Sequence, residues 1–150
     1  MSNNQQEKRE ATAHAYASFF QNLSADKHNG LSEILSADVH FTDPFNDTKG
    51  LGNVIAILEK MHKDVENPRF MILDIIWSGD ICFMRWDFSC FQPTLGIWKF
   101  RGMTELHFNQ EGLISSHFDY WDSGKHFYAK LPFLGRIIRA IIRKASISKT

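Results

Sequence analysis

The sequence has few of the residues that build disulfide frameworks, metal sites or membrane spans. Only two cysteines occur in 150 residues. Cys82 and Cys90 lie eight positions apart, which matches neither a disulfide framework nor a C-x-x-C metal motif. No window approaches the run of about 18 apolar residues that spans a membrane. The N-terminal segment MSNNQQEKRE lacks the apolar core of a secretory signal. We therefore expect a cytoplasmic protein with two reduced thiols.

The motifs of several enzyme classes are also missing. There is no glycine-rich phosphate loop and no motif for a nucleophilic serine or cysteine. Four scattered histidines lack the i,i+4 spacing of a metal site: His14, His40, His107 and His117. We interpret each of them as a structural or surface histidine, and we predict neither a metal nor a cofactor.

The charges balance over the whole chain but not along it. Lysine plus arginine and aspartate plus glutamate both number 17. Residues 131–150 contain five basic residues and no acidic one, so the first 130 contain 12 basic and 17 acidic residues. This acidic body lacks the broad cationic surface that nucleic-acid binding requires. We therefore expect no nucleic-acid partner.

Aromatic residues, in contrast, are abundant. They make up 13% of the chain and include 13 phenylalanines and four tryptophans. Much of this ring area must line a core, a pocket or a subunit interface. The length predicts a single domain over residues 1–150, with residues 1–8 disordered.

The order of the hydrophobic patterns predicts an α+β fold. Helical spacing covers residues 11–23 and 53–65, and LSEILSAD suggests a short helix between them. Four β-branched and aromatic runs follow at 69–77, 81–91, 97–108 and 113–121, and turn-forming residues separate them. This pattern predicts an antiparallel meander with helices over the concave face of a curved sheet. Such a cone-shaped fold leaves a hollow in which small ligands bind.

A carboxylate lies within the aromatic stretch HFTDPFND. Asp43 precedes Pro44, and the Asp-Pro dipeptide favours a turn. A second interpretation is that Asp43 faces an apolar pocket, where burial would raise its pKa and suit it to proton transfer. The stretch by itself leaves both interpretations open.

The element order, together with HFTDPF, Lys49-Gly50, LHFNQEGLI and FDYWD, resembles the nuclear transport factor 2-like (NTF2-like) superfamily. That group includes ketosteroid isomerases, limonene epoxide hydrolases and SnoaL-like polyketide cyclases. The resemblance extends over about residues 9–125 and implies a cone-shaped domain that forms a homodimer. It also implies a ligand that is a small apolar or carbonyl-bearing molecule.

By resemblance to the isomerases, Asp43 is the base that moves a proton next to a carbonyl group. Tyr16, on the first helix, is similar to the tyrosine of their oxyanion hole. Thr104 stands where the isomerases have a protonated aspartate, and Leu58 stands where they have another pocket tyrosine.

By resemblance to the epoxide hydrolases, Asp119 activates a water, Asp87 protonates the epoxide oxygen and Arg85 bridges the two. Phe41 and Asp43 stand where those enzymes hold the water with a tyrosine and an asparagine. The pocket lining implied by the two resemblances consists of Phe41, Phe20, Thr104, Trp121 and Leu58.

The orientation of the strand ICFMRWDFSCF stays open. Residues 85 and 87 share one face of it. The alternate face is more apolar, with Cys82, Met84, Trp86 and Phe88, which favours an outward ion pair between Arg85 and Asp87. The resemblance to the hydrolases favours an inward orientation instead.

The tail, LPFLGRIIRAIIRKASISKT, predicts a basic amphipathic helix within residues 131–150. We expect its apolar stripe to close the open end of the cone or to pack against a second subunit. Contact with anionic lipid or with a groove on a partner is the alternative. A non-enzymatic binding or interaction module is likewise the alternative to a cofactor-independent acid–base enzyme.

Overall fold

The computed structural model describes residues 3–25 and 28–147. Four α-helices and six strands follow one another along the chain, with two short 3₁₀ helices at Leu31–Glu33 and Tyr128–Lys130. The order is α1 (Asn3–Gln21), β1 (Leu35–Thr42), β2 (Asp47–Lys49), α2 (Leu51–Asp64), β3 (Glu66–Ser78), β4 (Ile81–Gln92), β5 (Gly96–Phe108), β6 (Ile114–Tyr120), α3 (Ser123–His126) and α4 (Leu134–Ala145).

The six strands form one sheet in the order β2-β1-β6-β5-β4-β3. Strands β3 to β6 form the antiparallel meander that the sequence predicts. Strand β1 pairs with β6 in parallel and with β2 in antiparallel orientation. The predicted α+β class, with helices over a curved and unclosed sheet, is confirmed.

Two of the local predictions are wrong. The segment LSEILSAD forms a short 3₁₀ turn and then enters β1 at Leu35, because pairing with β6 supplies the backbone hydrogen bonds that a helix would otherwise make. Residues 3–8, predicted to be disordered, form the first turns of α1. Residues 1 and 2 lie outside the described residues.

Alternation along the strands determines which side chains reach the core. In β4 the even-numbered residues from Cys82 to Cys90 are buried, whereas the odd-numbered residues are partly or fully exposed. Helix α1 contributes Tyr16 to this core and α2 contributes Leu58. The concave face of the sheet is therefore filled largely by aromatic and aliphatic side chains.

Gly102 on β5 allows a close approach between the sheet backbone and a tryptophan. A β-carbon at this position would lie 2.3 Å from Cη2 of Trp86, a separation that no real side chain adopts. Glycine thus lets the Trp86 ring lie against the backbone of β5, with its Nε1–H within hydrogen-bond distance of Thr104.

Helix α4 does not pack its apolar stripe against the rest of the chain, so the expectation that the stripe closes the cone is wrong. The helix is held near its start, where Arg139 donates a hydrogen bond from Nη1 to the carbonyl of Ala129 and Gly135 lies against the same residue. Within the described ranges, none of the helices is both long enough and apolar enough to cross a membrane.

Candidate functional site

Two polar side chains of β6 point into the concave face of the sheet. His117 and Asp119 are two residues apart, so they share one face of the strand. His117 is 2% exposed, and the Asp119 side chain is 17% exposed. Because strand alternation sends these polar groups toward a mostly apolar core, each of them needs a polar partner there.

Tyr16 reaches His117 from helix α1. Its hydroxyl lies 2.9 Å from Nδ1 of His117. Two rings hold this pair in place: Phe20 packs edge-on against Tyr16, and Phe41 stacks on His117 with ring centroids 4.4 Å apart. The contact therefore joins the first helix to the last strand inside the core.

Thr104 on β5 contacts Asp119, which is its register partner on β6. The Nε1–H group of Trp86 donates to Oγ1 of Thr104 over 2.8 Å, and the Thr104 hydroxyl donates to Oδ1 of Asp119 over 2.5 Å. An indole N–H can only donate, so the Thr104 oxygen must accept and its hydrogen points to the carboxylate.

Asp119 also lies close to the histidine. Nε2 of His117 is 2.9 Å from Oδ1 of Asp119, although the angles fall outside those of a hydrogen bond. Nδ1 of the imidazole thus faces the Tyr16 hydroxyl, and Nε2 faces the carboxylate at ion-pair distance. The five side chains Tyr16, His117, Asp119, Thr104 and Trp86 thus form a continuous line, which we call the polar chain.

Tyr16 remains a neutral hydroxyl within the polar chain. Burial raises the pKa of Tyr16 well above its ordinary value of 10.0, and the negative charge of Asp119 raises it further. Desolvation disfavours the phenolate, and a nearby anion disfavours it again. Tyr16 is therefore a hydrogen-bond donor at any physiological pH.

The polar chain lines a small cavity of about 20 Å³, which is the room that one water molecule needs. Both contacts of Asp119 within the chain use Oδ1, so Oδ2 is the oxygen that is left for a ligand. The lining residues are Tyr16, Phe20, Phe70, Ile72, Met84, Trp86, Thr104, His117 and Asp119.

A second, much larger depression of about 1320 Å³ opens beside this cavity. It lies between residues 21–25, at the end of α1 and just after it, and the strands β3, β4 and β5. This depression is wide and open to solvent, and its lining includes the charged side chains of Asp87 and Arg101. Phe70 lines both the depression and the small cavity and stands between them.

The structure brings together four of the residues that the sequence proposes for the site. Tyr16, Phe20, Thr104 and Asp119 all line the small cavity. Phe41 borders it through its contact with His117. Leu58 is a buried core residue of α2, and Trp121 stacks on Phe100, so neither lines the cavity and this part of the prediction is wrong.

Asp43 follows the turn interpretation. Its Oδ1 accepts hydrogen bonds from the backbone N–H groups of Phe45 and Asn46, both over 2.7 Å, and the Asn46 side chain donates to both carboxylate oxygens. Local donors thus satisfy the carboxylate within the turn. Asp43 does not line the cavity, and the prediction that it faces a hollow is wrong.

Arg85 and Asp87 lie on the outer face of β4. Arg85 pairs with Asp74 on β3, and Arg101 on β5 donates twice to Asp87 over 2.7 and 2.9 Å. These hydrogen bonds lower the pKa of Asp87. The prediction that Arg85 bridges two pocket carboxylates is wrong, because the apolar alternate residues of β4 take the inner face.

Two members of the polar chain were absent from the predicted site, namely His117 and Trp86. The signal for His117 was its position two residues before Asp119 on one strand. No local signal marked Trp86, whose place depends on the register between β4 and β5. Within residues 3–25 and 28–147, no three histidine, cysteine or acidic side chains cluster as metal ligands would.

A family model described as a SnoaL-like domain matches residues 15–117. A search of curated proteins gives no match. An NTF2-like protein of unknown function from Burkholderia pseudomallei is 16% identical with a TM-score of 0.68, and the match covers 83% of this chain and 95% of that one.

Two further solved structures are similar over most of their lengths. A Catenulispora acidiphila protein with a ketosteroid isomerase-like fold, in complex with trimethylamine, is 17% identical with a TM-score of 0.67 over 81% of this chain and 93% of that one. An LEH-like epoxide hydrolase from M. tuberculosis is 17% identical with a TM-score of 0.64 over 91% and 97%. At these identities the likeness shows the fold alone. This chain belongs to the SnoaL-like family and has the NTF2-like fold.

Proposed function

We propose that this protein binds a small apolar or carbonyl-bearing molecule and acts on it by acid–base chemistry without a cofactor. Asp119 is the general base, and Tyr16 and His117 supply hydrogen bonds and a proton path. The observation that carries the proposal is the polar chain, whose central member is a carboxylate beside a cavity in an otherwise apolar interior.

The arrangement of the polar chain supports a base at Asp119. Thr104 holds Oδ1 in a fixed orientation, and Trp86 in turn fixes the direction of the threonine hydroxyl. A general base works best when such contacts fix its position and when it reaches the proton directly. Oδ2 is then free to take a proton from a water or from a carbon next to a carbonyl.

His117 and Tyr16 are placed to supply the proton and the hydrogen bonds that the same acid–base reaction needs. The Nδ1 contact to Tyr16 and the Nε2 approach to Asp119 place one imidazole between a hydroxyl and a carboxylate. A developing oxyanion in the cavity would meet Tyr16 as a neutral donor when Nδ1 of His117 carries a proton and donates it to the Tyr16 oxygen. This division of roles replaces the Arg85 and Asp87 arrangement implied by the epoxide hydrolases.

The volume of the cavity limits the reaction to a water or a very small group unless the cavity opens. Phe70 separates the cavity from the larger depression, and a change in its rotamer would join the two. A substrate larger than one water would therefore enter past Phe70 and present its reactive atom to Asp119.

The test is a screen of small epoxides and enolisable ketones against the wild-type protein and Asp119→Asn. The amide keeps the shape of the carboxylate but removes its basicity. We expect Asp119→Asn to lower kcat by 10²-fold or more for any substrate found, the range of one general base, with an unchanged unfolding midpoint.

Asp38→Asn is the matched control, because Asp38 is an exposed carboxylate of β1. It should turn over substrate like the wild type. Normal turnover by Asp119→Asn, with a folded protein, would refute the assignment of the base.

A non-enzymatic protein-interaction module is the second candidate function. It is favoured by the cavity volume of about 20 Å³, which is far below the several hundred Å³ of a usual ligand site. In that case the polar chain only joins α1 to the sheet, no substrate in the screen reacts, and Asp119→Asn lowers stability instead of turnover.

The proposal also includes a homodimer in a reducing, cytoplasmic environment. Large apolar side chains are exposed on the outer face of the sheet: Met71, Ile76, Phe91, Ile97 and Met103. Exposed patches of this kind mark association surfaces. Cys82 and Cys90 are free and buried, and burial raises the pKa of their thiols to about 12 and about 11.

A further inference from the structure

Helix α4 presents an apolar stripe that no described part of the chain covers. Ile137 is 60% exposed and Ile141 is 58% exposed, and the stripe continues through Leu134 and Ile142. On a helix these positions recur at three and four residues, so they form one face. An apolar face of this size on a terminal helix needs an occupant.

The geometry of α4 turns this face away from the protein. Gly135 and Arg139 lie on the side of the helix that contacts Ala129. Leu134, Ile137 and Ile141 lie more than a quarter turn away from that side around the helix. Phe133, just before the helix, is 87% exposed and has a positive φ of 58°. Bulky residues rarely adopt that conformation, and here it accompanies a ring that projects from the start of the stripe.

The charge of this region identifies the chemistry of the occupant. No aspartate or glutamate follows Asp122, while residues 123–147 contain six lysines and arginines. Four of these basic residues lie on α4 itself: Arg136, Arg139, Arg143 and Lys144. Residues 1–122 contain 10 basic and 17 acidic residues, so a net positive charge is confined to the part of the chain that carries the stripe.

We propose that α4 is an interfacial helix that docks the protein on an anionic phospholipid surface. Its isoleucines enter the boundary between headgroups and acyl chains, and its basic side chains contact the lipid phosphates. A helix with an apolar face, a cationic polar face and no acidic residue fits such a surface. The helix lies outside residues 15–117, which match the family model.

A second copy of α4 is a weaker occupant on grounds of area. Twelve residues make a helix about 18 Å long and about 10 Å wide. The footprint of one such helix on another is well below the approximately 800 Å² that each partner buries in a stable dimer. Like charges on both helices would also oppose their approach.

The test is co-sedimentation of the full chain with phosphatidylcholine vesicles, with and without phosphatidylglycerol. We expect binding to the anionic vesicles and little to the neutral ones, and added salt should weaken it. Each arginine near an anionic surface changes partitioning about fivefold, so Arg136→Gln with Arg143→Gln should weaken binding about 25-fold. Ile137→Asp with Ile141→Asp should abolish it.

Lys49→Gln with Lys63→Gln is the matched control, because it removes two exposed charges from the body of the protein. This control should bind like the wild type. Equal weakening by the control, or unchanged binding by the isoleucine variant, would overturn the inference. Sedimentation equilibrium without lipid supplies the remaining outcome: a dimer that the isoleucine variant converts to a monomer would show that a second copy covers the stripe.

Discussion

Thr104 and Asp119 face each other across β5 and β6 and are joined by a hydrogen bond of 2.5 Å. The bond links the only carboxylate of the cavity lining to a hydroxyl whose direction Trp86 determines. The register between β5 and β6 therefore orients the proposed base. Substitutions of Thr104 should change the orientation of the Asp119 carboxylate while Asp119 itself is kept.

We expect Thr104→Val to lower the free energy of unfolding by about 1–3 kcal/mol, because valine has the same shape but leaves Trp86 Nε1–H and Asp119 Oδ1 without their partner. Thr104→Ser keeps the hydroxyl and should lose about 1 kcal/mol at most, the contribution of one buried methyl group. Denaturant unfolding measures both. Equal stability of the valine and serine variants would show that the hydroxyl in the polar chain contributes nothing to the stability of the fold.

The fold was largely predictable from the sequence because it depends on repeating patterns. Alternation along the strands and helical spacing in α1 and α2 indicated the layers, and turn residues separated the strands. The same alternation in β4 correctly favoured an outward Arg85 and Asp87, whereas the resemblance to the epoxide hydrolases favoured the wrong face. For β4, the alternation of residues thus predicted the orientation of the side chains correctly, and the resemblance did not.

The site was only partly predictable because it depends on contacts between distant segments. Asp119 and Tyr16 were identified, but the bonds from Trp86 to Thr104 and from Thr104 to Asp119 follow from strand register, which no local pattern determines. Asp43 was misplaced because its carboxylate found donors within its own turn. Such local satisfaction is typical of aspartate in turns.

The second prediction concerns Gly102. We expect Gly102→Ala to lower the free energy of unfolding by about 1–3 kcal/mol, since the added methyl group overlaps the Trp86 ring and forces it from its place. The displaced indole can no longer donate to Thr104. Thermal unfolding measures the change, and Trp86 fluorescence should shift with it.

Gly52→Ala is the control for that substitution. Gly52 lies in α2 with nothing within 4 Å of its added β-carbon, so alanine there should leave stability unchanged or raise it by up to about 1 kcal/mol. If both alanine variants behave alike, contact between Gly102 and Trp86 is not a constraint on the fold.

The third prediction concerns the pH dependence of the outer ion pair. Arg101 lowers the pKa of Asp87 in the folded protein below its ordinary value of 3.8. The pair therefore stabilises the fold above pH 3.8, and this stabilisation disappears as the pH falls through the lowered pKa. Because the carboxylate is over a third exposed, we expect Asp87→Asn to lose less than about 1 kcal/mol at neutral pH.

Unfolding of the wild type and Asp87→Asn across the acid range measures this difference, which should vanish at low pH. Turnover of any substrate found should be unaffected, since Asp87 lines only the open depression and not the cavity at Asp119. A large loss of turnover in Asp87→Asn would contradict that arrangement and would restore the hydrolase-like role for this residue.

The last prediction concerns Phe70, which separates the cavity at Asp119 from the open depression. Its ring packs against Phe20, Trp86 and Phe88 with centroids 5.1, 5.3 and 4.7 Å away. Phe70→Ala should join the two spaces, so an apolar fluorescent ligand should bind more tightly and bulkier substrates should react faster. The lost contacts should lower the free energy of unfolding by roughly 1–3 kcal/mol, below the full value for a wholly buried ring.

Phe91→Ala is the matched control, because Phe91 is an exposed phenylalanine at the far end of β4. It should change neither ligand binding nor turnover. A Phe70→Ala variant that loses stability while its ligand binding stays that of the wild type would show that the ring only fills the core. In that case a substrate would need another route to Asp119, and the cavity would hold no more than a water.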